Sequence, residues 1–283
     1  MLEGMLKDIC GADLFTSIYE TLSTNLFSPS GTYSATYKIV KDIHDDVITP
    51  VAIMLLFLYF MIALVDKLSS ENFTWEQLWR SMAQLLAAKL LIDYGFDILE
   101  ILFQIGMSIA ASVDALVEGG GSLTPEEFDP AAMIKEFEKA NGWNRGFMKI
   151  VSPILMFIYL IIPWVFSWVL SMAVRIICYT RVVELYLRAA FAPIALSDFF
   201  HSGLQGGGWR FLKNFLAVSL QGVLILVIAV IFSTLFKGLF TTMTANIILD
   251  LVPFVGVYLS FLCAAVMLMF KSLSLAKELV GTN

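Results

Sequence analysis

Several apolar runs of about 20 residues are the feature that most restricts how this chain can fold. A helix of that length rises about 30 Å, which is the thickness of the hydrocarbon core of a bilayer. Hydrophobic residues make up 59% of the chain and charged residues only 15%, against roughly 25% charged residues in a soluble domain. The pattern predicts an all-α fold, a polytopic transmembrane helical bundle with spans at residues 47–65, within 82–117, and at 150–174, 214–236 and 247–270.

The first segments outside these spans predict helices that lie on the membrane surface. Residues 1–46 carry apolar side chains at helical spacing, which predicts an amphipathic extracytoplasmic segment. A Ser-Pro-Ser-Gly sequence at 28–31 breaks this segment, and a short helix is predicted at 33–46. A further interfacial helix is predicted around Trp75 and Trp79, because Trp suits the headgroup region.

The bundle itself is predicted to occupy residues 47–270. Thr49 can cap its first helix, and Pro50 suits the first helical turn. An extracytoplasmic loop at 114–149 is predicted to contain a short amphipathic helix, and residues 271–283 form a cytoplasmic tail.

Residues 175–197 leave the number of spans open between five and six. They are apolar but carry several charges, and Pro193 is predicted to interrupt them. If this segment does not cross, five spans place most Lys and Arg side chains in the cytoplasm, with the N-terminus outside and the C-terminus inside. If it crosses, the basic residues are divided between the two sides. The distribution of positive charge favours five spans.

A stripe of charged residues runs along the second apolar span. On a helix with 100° per residue, the stripe covers about 80° of the circumference. A charged side chain that faces lipid at the bilayer centre costs about 2.5 kcal/mol or more, so the stripe is predicted to face protein or water. This charged stripe consists of Lys89, Asp93, Asp97, Glu100 and Gln104.

A second, basic stripe consists of Arg181, Glu184 and Arg188. Its spacing of three and four residues allows these side chains to pair with each other or with the charged stripe of a neighbouring helix. Three interpretations remain open: buried ion pairs that fix helix register, the lining of a hydrated passage or subunit seam, and an ion-coupling site. If DNA passes here, we expect the acidic residues to be paired with Arg, since bare carboxylates repel phosphate.

Other motifs that carry chemistry are weak in this sequence. His44 with Asp45 and Asp46 is interpreted as solvated surface rather than as a metal site, because no further ligand stands at a suitable spacing. The three cysteines lie far apart and form no disulfide framework. No cofactor is predicted, and the chain is not predicted to be an enzyme. The net charge of −6 argues against sequence-independent binding of nucleic acid by the whole chain.

The stretch LYLRAAFAPIALSDFFHSGLQGGGWRFLKNFL, residues 185–216, resembles the TrbL-like (VirB-type) polytopic channel family of type IV secretion and conjugation systems, in its Gram-positive conjugative-element version. The shared pattern is an Arg-bearing apolar helix, a turn with proline, an aromatic pair and a glycine-rich turn before a long apolar span. The positions that correspond are Arg181, Arg188, Gly206, Gly207, Gly208 and Trp209. Two interpretations of this glycine-rich segment remain open. It is either a flexible turn before the fifth span, or a hinge where backbones approach closely, with Trp209 anchored at the membrane interface and Arg210 facing anionic lipid.

The resemblance implies a scaffold without enzymatic activity in the bacterial cytoplasmic membrane. Family members form homo-oligomeric rings, pentamers, and contact lipids, other secretion subunits and ATPases, with the translocated DNA–protein substrate as a transient partner. The alternative from a different class is an ion-coupled secondary transporter that uses the acidic residues of the charged stripe. Transporters usually contain internal repeats with paired broken helices, and no convincing repeat is present here.

Overall fold

The computed structural model describes residues 22, 24–69, 74–118, 148–202, 206–243 and 251–282. The regular structure of these residues is helical, which confirms the predicted all-α fold. A π-helical turn at Ile43–Ile48 joins the first two helices. In chain order the helices are α1 (Ser34–Asp42), α2 (Thr49–Leu68), α3 (Trp75–Asp93), α4 (Gly95–Glu118), α5 (Met148–Ser197), α6 (Phe199–Ser202), α7 (Gly207–Met243) and α8 (Leu251–Val280).

Five helical stretches in the described residues are long and apolar enough to cross a membrane, which agrees with the five predicted spans. Helix α3 is not among them. It is less apolar, because its 19 residues include Glu76, Arg80, Lys89 and Asp93. The candidate spans are Ser34–Leu68, Gly95–Val113, Trp164–Ser197, Gly207–Phe232 and Leu259–Val280.

Helix α5 corrects the prediction for residues 175–197. A single helix of 50 residues runs from Met148 to Ser197 and continues through Pro193, so this segment is neither a separate span nor interrupted at the proline. Proline removes one helical hydrogen bond, but a membrane helix tolerates this loss where neighbouring groups pack around the site. Pro193 is buried, which fits this explanation.

The second predicted span corresponds to two helices instead of one. Helix α3 ends at Asp93, Tyr94 has φ −97° and ψ 10°, and α4 begins at Gly95. The segment around Trp75 and Trp79, for which an interfacial helix was predicted, forms the first two turns of α3. The charged stripe is therefore divided between the end of α3 and the start of α4.

The junction between α1 and α2 also differs from the prediction. Thr49 does not cap a helix: its hydroxyl donates to the carbonyl of His44 at 2.8 Å, within a helical stretch that continues from α1. Pro50 follows directly and has no N–H to donate, and the wide π-helical turn accommodates it.

Helices α4 and α8 extend beyond their predicted ends. Helix α4 continues to Glu118, inside the predicted loop at 114–149, and α8 continues to Val280, through most of the predicted tail. The short helix predicted in that loop, and the amphipathic helix predicted at the start of the chain, lie outside the described residues.

The chain divides into two compact units. The first comprises Met1–Ser23, Ala110–Tyr179 and Leu224–Ser272. Its described core packs α5 against α7 and α8 through buried side chains that include Val174, Cys178, Ile225, Leu226, Val266 and Met269.

The second unit comprises Thr24–Ile109, Thr180–Val223 and Leu273–Asn283. Phe27, which precedes α1 in a non-helical segment, lies at the centre of its core and is 1% exposed. The hydroxyl of Tyr186 donates to the carbonyl of Leu26 at 2.6 Å, which supplies the partner that a non-helical carbonyl needs inside an apolar bundle. Five rings lie with their centroids 5.0 to 6.4 Å from that of Phe27: those of Tyr37, Phe96, Phe103, Tyr186 and Phe215.

Truncation of Phe27 tests whether this aromatic cluster holds the second unit together. Phe27→Ala removes a fully buried ring, and we expect the free energy of unfolding to fall by about 3–5 kcal/mol, measured as a lower Tm of the purified protein in detergent. Phe57→Ala is the matched control, because Phe57 is 57% exposed and its loss should change Tm little. Equal effects of the two substitutions would contradict the central position of Phe27.

Candidate functional site

Helix α4 carries a buried face and a polar face side by side. Phe96, Leu99 and Phe103 are buried in the aromatic core of the second unit. Asp97, Glu100 and Gln104 repeat the same spacing one residue later, and one residue rotates a helix by about 100°. Asp97 and Gln104 are exposed and Glu100 is half-buried, so this part of the charged stripe faces away from the core.

The end of α3 adds two further charges to this exposed stripe. Lys89 and Asp93 are both exposed, and the Lys89 Nζ lies 3.2 Å from the Asp93 Oδ2. On α4, the amide nitrogen of Gln104 donates to the Glu100 Oε1 at 3.3 Å. These contacts are local pairs between residues four apart on one helix, each worth only a few tenths of a kcal/mol. They order the stripe without removing it from the surface.

Helix α1 brings its own charges next to the stripe. The Lys41 Nζ lies 5.8 Å from the ring centroid of Phe96, the residue before Asp97. Helix α1 buries Val40 and turns its charged residues outward. We use the name polar surface for the exposed polar residues of α1, the π-helical turn, the end of α3 and the start of α4 taken together. It consists of Lys38, Lys41, Asp42, Asp45, Asp46, Lys89, Asp93, Asp97, Glu100 and Gln104, of which all but the half-buried Glu100 are exposed.

Arg181 of the basic stripe is buried instead of facing the charged stripe. It is 4% exposed, and its Nε and Nη2 donate to the carbonyls of Val218 and Ser219 on α7 at 3.2 and 3.1 Å. Gly222, one turn further along α7, lies directly against the guanidinium, and a Cβ at this position would collide with it. The close approach of Arg181 to the backbone of α7 therefore requires glycine at position 222.

Glu184 and Arg188 of the basic stripe form a separate pair. The Arg188 Nε donates to the Glu184 Oε1 at 3.1 Å, and both side chains are partly buried. The predicted face of Arg181, Glu184 and Arg188 is thus divided between two environments. Arg181 bonds to backbone carbonyls, whereas Glu184 and Arg188 bond to each other.

The predicted glycine-rich turn lies at the beginning of α7. Gly206 precedes the helix, while Gly207 and Gly208 are its first two residues. The N–H of Gly207 donates to the Asp198 Oδ2 at 2.6 Å. Trp209 is 40% exposed with the Lys213 Nζ 5.9 Å from its ring centroid, and Arg210 is exposed. An exposed Trp beside basic residues suits the headgroup region of a membrane.

His44 differs from its interpretation as solvated surface. Asp45 and Asp46 are exposed as expected, but His44 is 1% exposed and lies edge-on to Phe96 with ring centroids 5.2 Å apart. The sequence does contain a signal for this burial, because His44 stands four residues after Val40 and four before Ile48, which are both buried. No comparable signal links Arg181 to Gly222, which are distant in sequence.

The fold and these residues define a class of protein: a multi-pass helical membrane protein that, in the part of the chain the structure describes, exposes charges on a candidate span and buries Arg181. The family described as TrbL/VirB6 plasmid conjugal transfer like protein matches residues 18–193, and the chain belongs to this family. The matched range includes the whole polar surface and the three residues of the basic stripe, and it ends before the glycines at the start of α7. No curated protein and no solved structure matches the chain.

Substitution of Gly222 tests the contact with Arg181. Gly222→Ala places a methyl group where the guanidinium lies, and we expect the free energy of unfolding to fall by about 2–4 kcal/mol because a buried charge loses its acceptors. The measurement is the Tm of the purified protein in detergent. Gly256→Ala is the control, because Gly256 is exposed with no atom within 4 Å of the new methyl group.

A double substitution separates this contact from a general effect of the added methyl group. Methionine at position 181 has no guanidinium, so Arg181→Met combined with Gly222→Ala should be more stable than the sum of the two single effects predicts. Strictly additive changes in Tm would show that the two residues do not depend on each other.

Proposed function

We propose that the protein is a homo-oligomeric ring subunit, a channel or scaffold, of a conjugative type IV secretion machine in the bacterial cytoplasmic membrane. Membership of the TrbL/VirB6 family implies a component of conjugal transfer. The observation that supports the ring is the polar surface, because its central part belongs to a helix that is apolar enough to cross the membrane.

The energetic argument starts from α4. Its stretch Gly95–Val113 is a candidate span, yet Asp97 and Gln104 are exposed on it. A charged side chain at the bilayer centre costs about 2.5 kcal/mol or more; Asp97 lies near the start of this stretch and the polar Gln104 at its middle. In the described part of the second unit, the interior beside α4 is filled by the rings around Phe27. The polar surface therefore suits contact with a second copy of the chain or with water between copies.

Other helices of the second unit expose apolar side chains suited to lipid. On α5, Val183, Leu187 and Phe191 are 50 to 56% exposed. On α2 the exposed side chains include Met54 and Phe57. A protomer with polar and apolar exposed surfaces fits a ring in which one surface meets neighbouring copies or a lumen and the others meet the bilayer.

The partners of the proposed ring follow from its family and its charge. We propose a pentamer, with the N-terminus outside and the C-terminus in the cytoplasm, that contacts other secretion subunits and the ATPases of the machine. Acidic residues outnumber basic ones on the polar surface, so naked DNA would be repelled by it. The translocated DNA–protein substrate is accordingly proposed as a transient partner, and Lys or Arg side chains of neighbouring subunits would neutralise the carboxylates.

The transporter alternative gains no support, because Asp97 and Glu100 lie at the surface and not around an enclosed site.

Oligomeric state and side-chain environment test the ring directly. In a background without cysteine, Gln104→Cys should either react with a membrane-impermeant maleimide or cross-link to a second copy, whereas Leu187→Cys, which is exposed on an apolar face, should do neither. Native mass spectrometry of nanodisc-embedded protein should give a multiple of the 31.5 kDa chain. A strictly monomeric protein would refute the ring.

Conjugative transfer tests whether the polar surface serves the machine. Replacement of Asp97 and Glu100 by Leu in the same chain should lower transfer frequency at least tenfold, because the surface would no longer be hydrated or paired. Asp66→Leu is the control, since it removes an exposed charge outside the polar surface. If membrane levels are equal and both variants transfer like the parent, the polar surface has no part in transfer.

A further inference from the structure

Two helix irregularities lie in contact within the second unit. The π-helical turn Ile43–Ile48 separates α1 from α2, and Tyr94 separates α3 from α4. The His44 ring meets that of Phe96 at 5.2 Å, and the His44 Nε2 lies 3.9 Å from the position of a Cβ on Gly95. Both irregularities therefore meet at one point, around His44.

The two helices beyond this point form a packed hairpin. Helices α2 and α3 contact each other, and the Lys67 Nζ donates to the Ser81 Oγ near the end of the hairpin that is remote from His44. A ring contact between Phe60 on α2 and Phe200 on α6, with centroids 6.0 Å apart, holds the hairpin against the rest of the unit. π-Turns and helix irregularities are the usual places where helices bend. A movement of the hairpin would therefore take place about these two positions.

His44 occupies the pivot point with one nitrogen unsatisfied. Its Nδ1 lies 2.8 Å from the Asp45 Oδ1. Among the described residues its Nε2 has no hydrogen-bond partner, although the side chain is 1% exposed. A buried polar atom without a partner is unusual and costs about 1–3 kcal/mol.

The groups around His44 are mainly apolar. Phe96 and Gly95 lie on α4, and Leu196 on α5 comes within 2.7 Å of the Gly95 Cβ position, so the contact is tight. Charged groups also lie near His44 in sequence and in space, and all of them are exposed. Those on its own helical stretch are Lys38, Lys41, Asp42, Asp45 and Asp46, and those next to Gly95 and Phe96 are Asp93 and Asp97. Asp198 follows α5 and accepts from the N–H of Gly207.

We propose that His44 is a proton-sensitive latch that controls the angle of the α2–α3 hairpin. With neutral imidazole, the Nδ1–H donates to Asp45 and the bare Nε2 packs against Gly95, which keeps the hairpin closed. A proton from solvent adds an N–H at Nε2, where the packed contact offers apolar groups and no acceptor. Movement of the hairpin admits water to this N–H, so protonation favours the open position.

Distance measurements between spin labels test the latch. Leu68→Cys on the hairpin and Ile105→Cys on α4, both exposed, are labelled in a background without native cysteines and measured in nanodiscs at pH 8 and pH 5. These values bracket the ordinary titration range of imidazole. We expect a second population of distances at pH 5. Identical distributions at the two pH values would overturn the proposal.

Two further substitutions distinguish the latch from a general response to acid. The side chain of His44→Phe cannot take up a proton, so this variant should give one population of distances at both pH values. His44→Gln, with a smaller polar side chain, should give the same result and serves as the second variant if His44→Phe does not fold. Gly95→Ala places a methyl group too close to Leu196, at the same junction, and should produce the second population already at pH 8. A pH response retained in both His44 variants would refute the latch. The measurement involves no conjugative transfer, so its outcome is independent of the proposed ring.

Discussion

The free energy of placing a charge in apolar surroundings governs how the second unit is arranged. Arg181 is buried where two backbone carbonyls of α7 accept from its guanidinium and Gly222 leaves room for it. Glu184 and Arg188 avoid the same cost by bonding to each other. Asp97 and Glu100 of α4 have no such interior partner in the described contacts, and they are exposed and half-buried, respectively. One physical constraint thus produces three different solutions within one unit.

The fold class was predictable because hydropathy is a local property of the chain. Apolar runs of membrane-spanning length identify the five candidate spans. The predicted family is confirmed by a match to residues 18–193, which overlaps the pattern at 185–216 only in its first nine residues. The division of the second span at Tyr94 was not predictable in this way, since the hydropathy on both sides of it is similar. This irregularity coincides with the tertiary contact of Gly95 with Leu196 and His44. The prediction that Pro193 interrupts the helix was wrong for the same reason, because the effect of a proline depends on the packing around it.

The candidate site was predictable in composition but not in arrangement. Helical periodicity predicts that Asp97, Glu100 and Gln104 share one side of their helix, and in α4 they follow the buried Phe96, Leu99 and Phe103 by one residue each. The contribution of α1 requires the contact between Lys41 and Phe96, which joins segments far apart in sequence. The sequence predicts that Arg181 shares a helix face with Glu184 and Arg188. Its burial follows from its contacts with α7, which the sequence pattern does not reveal. The geometry of a single helix therefore gives the direction of a side chain, whereas its burial and its bonding partners depend on the neighbouring helix.

The bond between Tyr186 and Leu26 joins residues that are 160 positions apart. During synthesis on the ribosome, the segment that carries Phe27 emerges long before the stretch of α5 that receives it. At synthesis rates of about 5–20 residues per second, that interval lasts roughly 10–30 seconds. Throughout this time the aromatic, non-helical segment lacks two of its final neighbours, Tyr186 and Phe215. Completion of this unit is consequently a late event in biogenesis, and the earliest-made part of its core is among the last to reach its final environment.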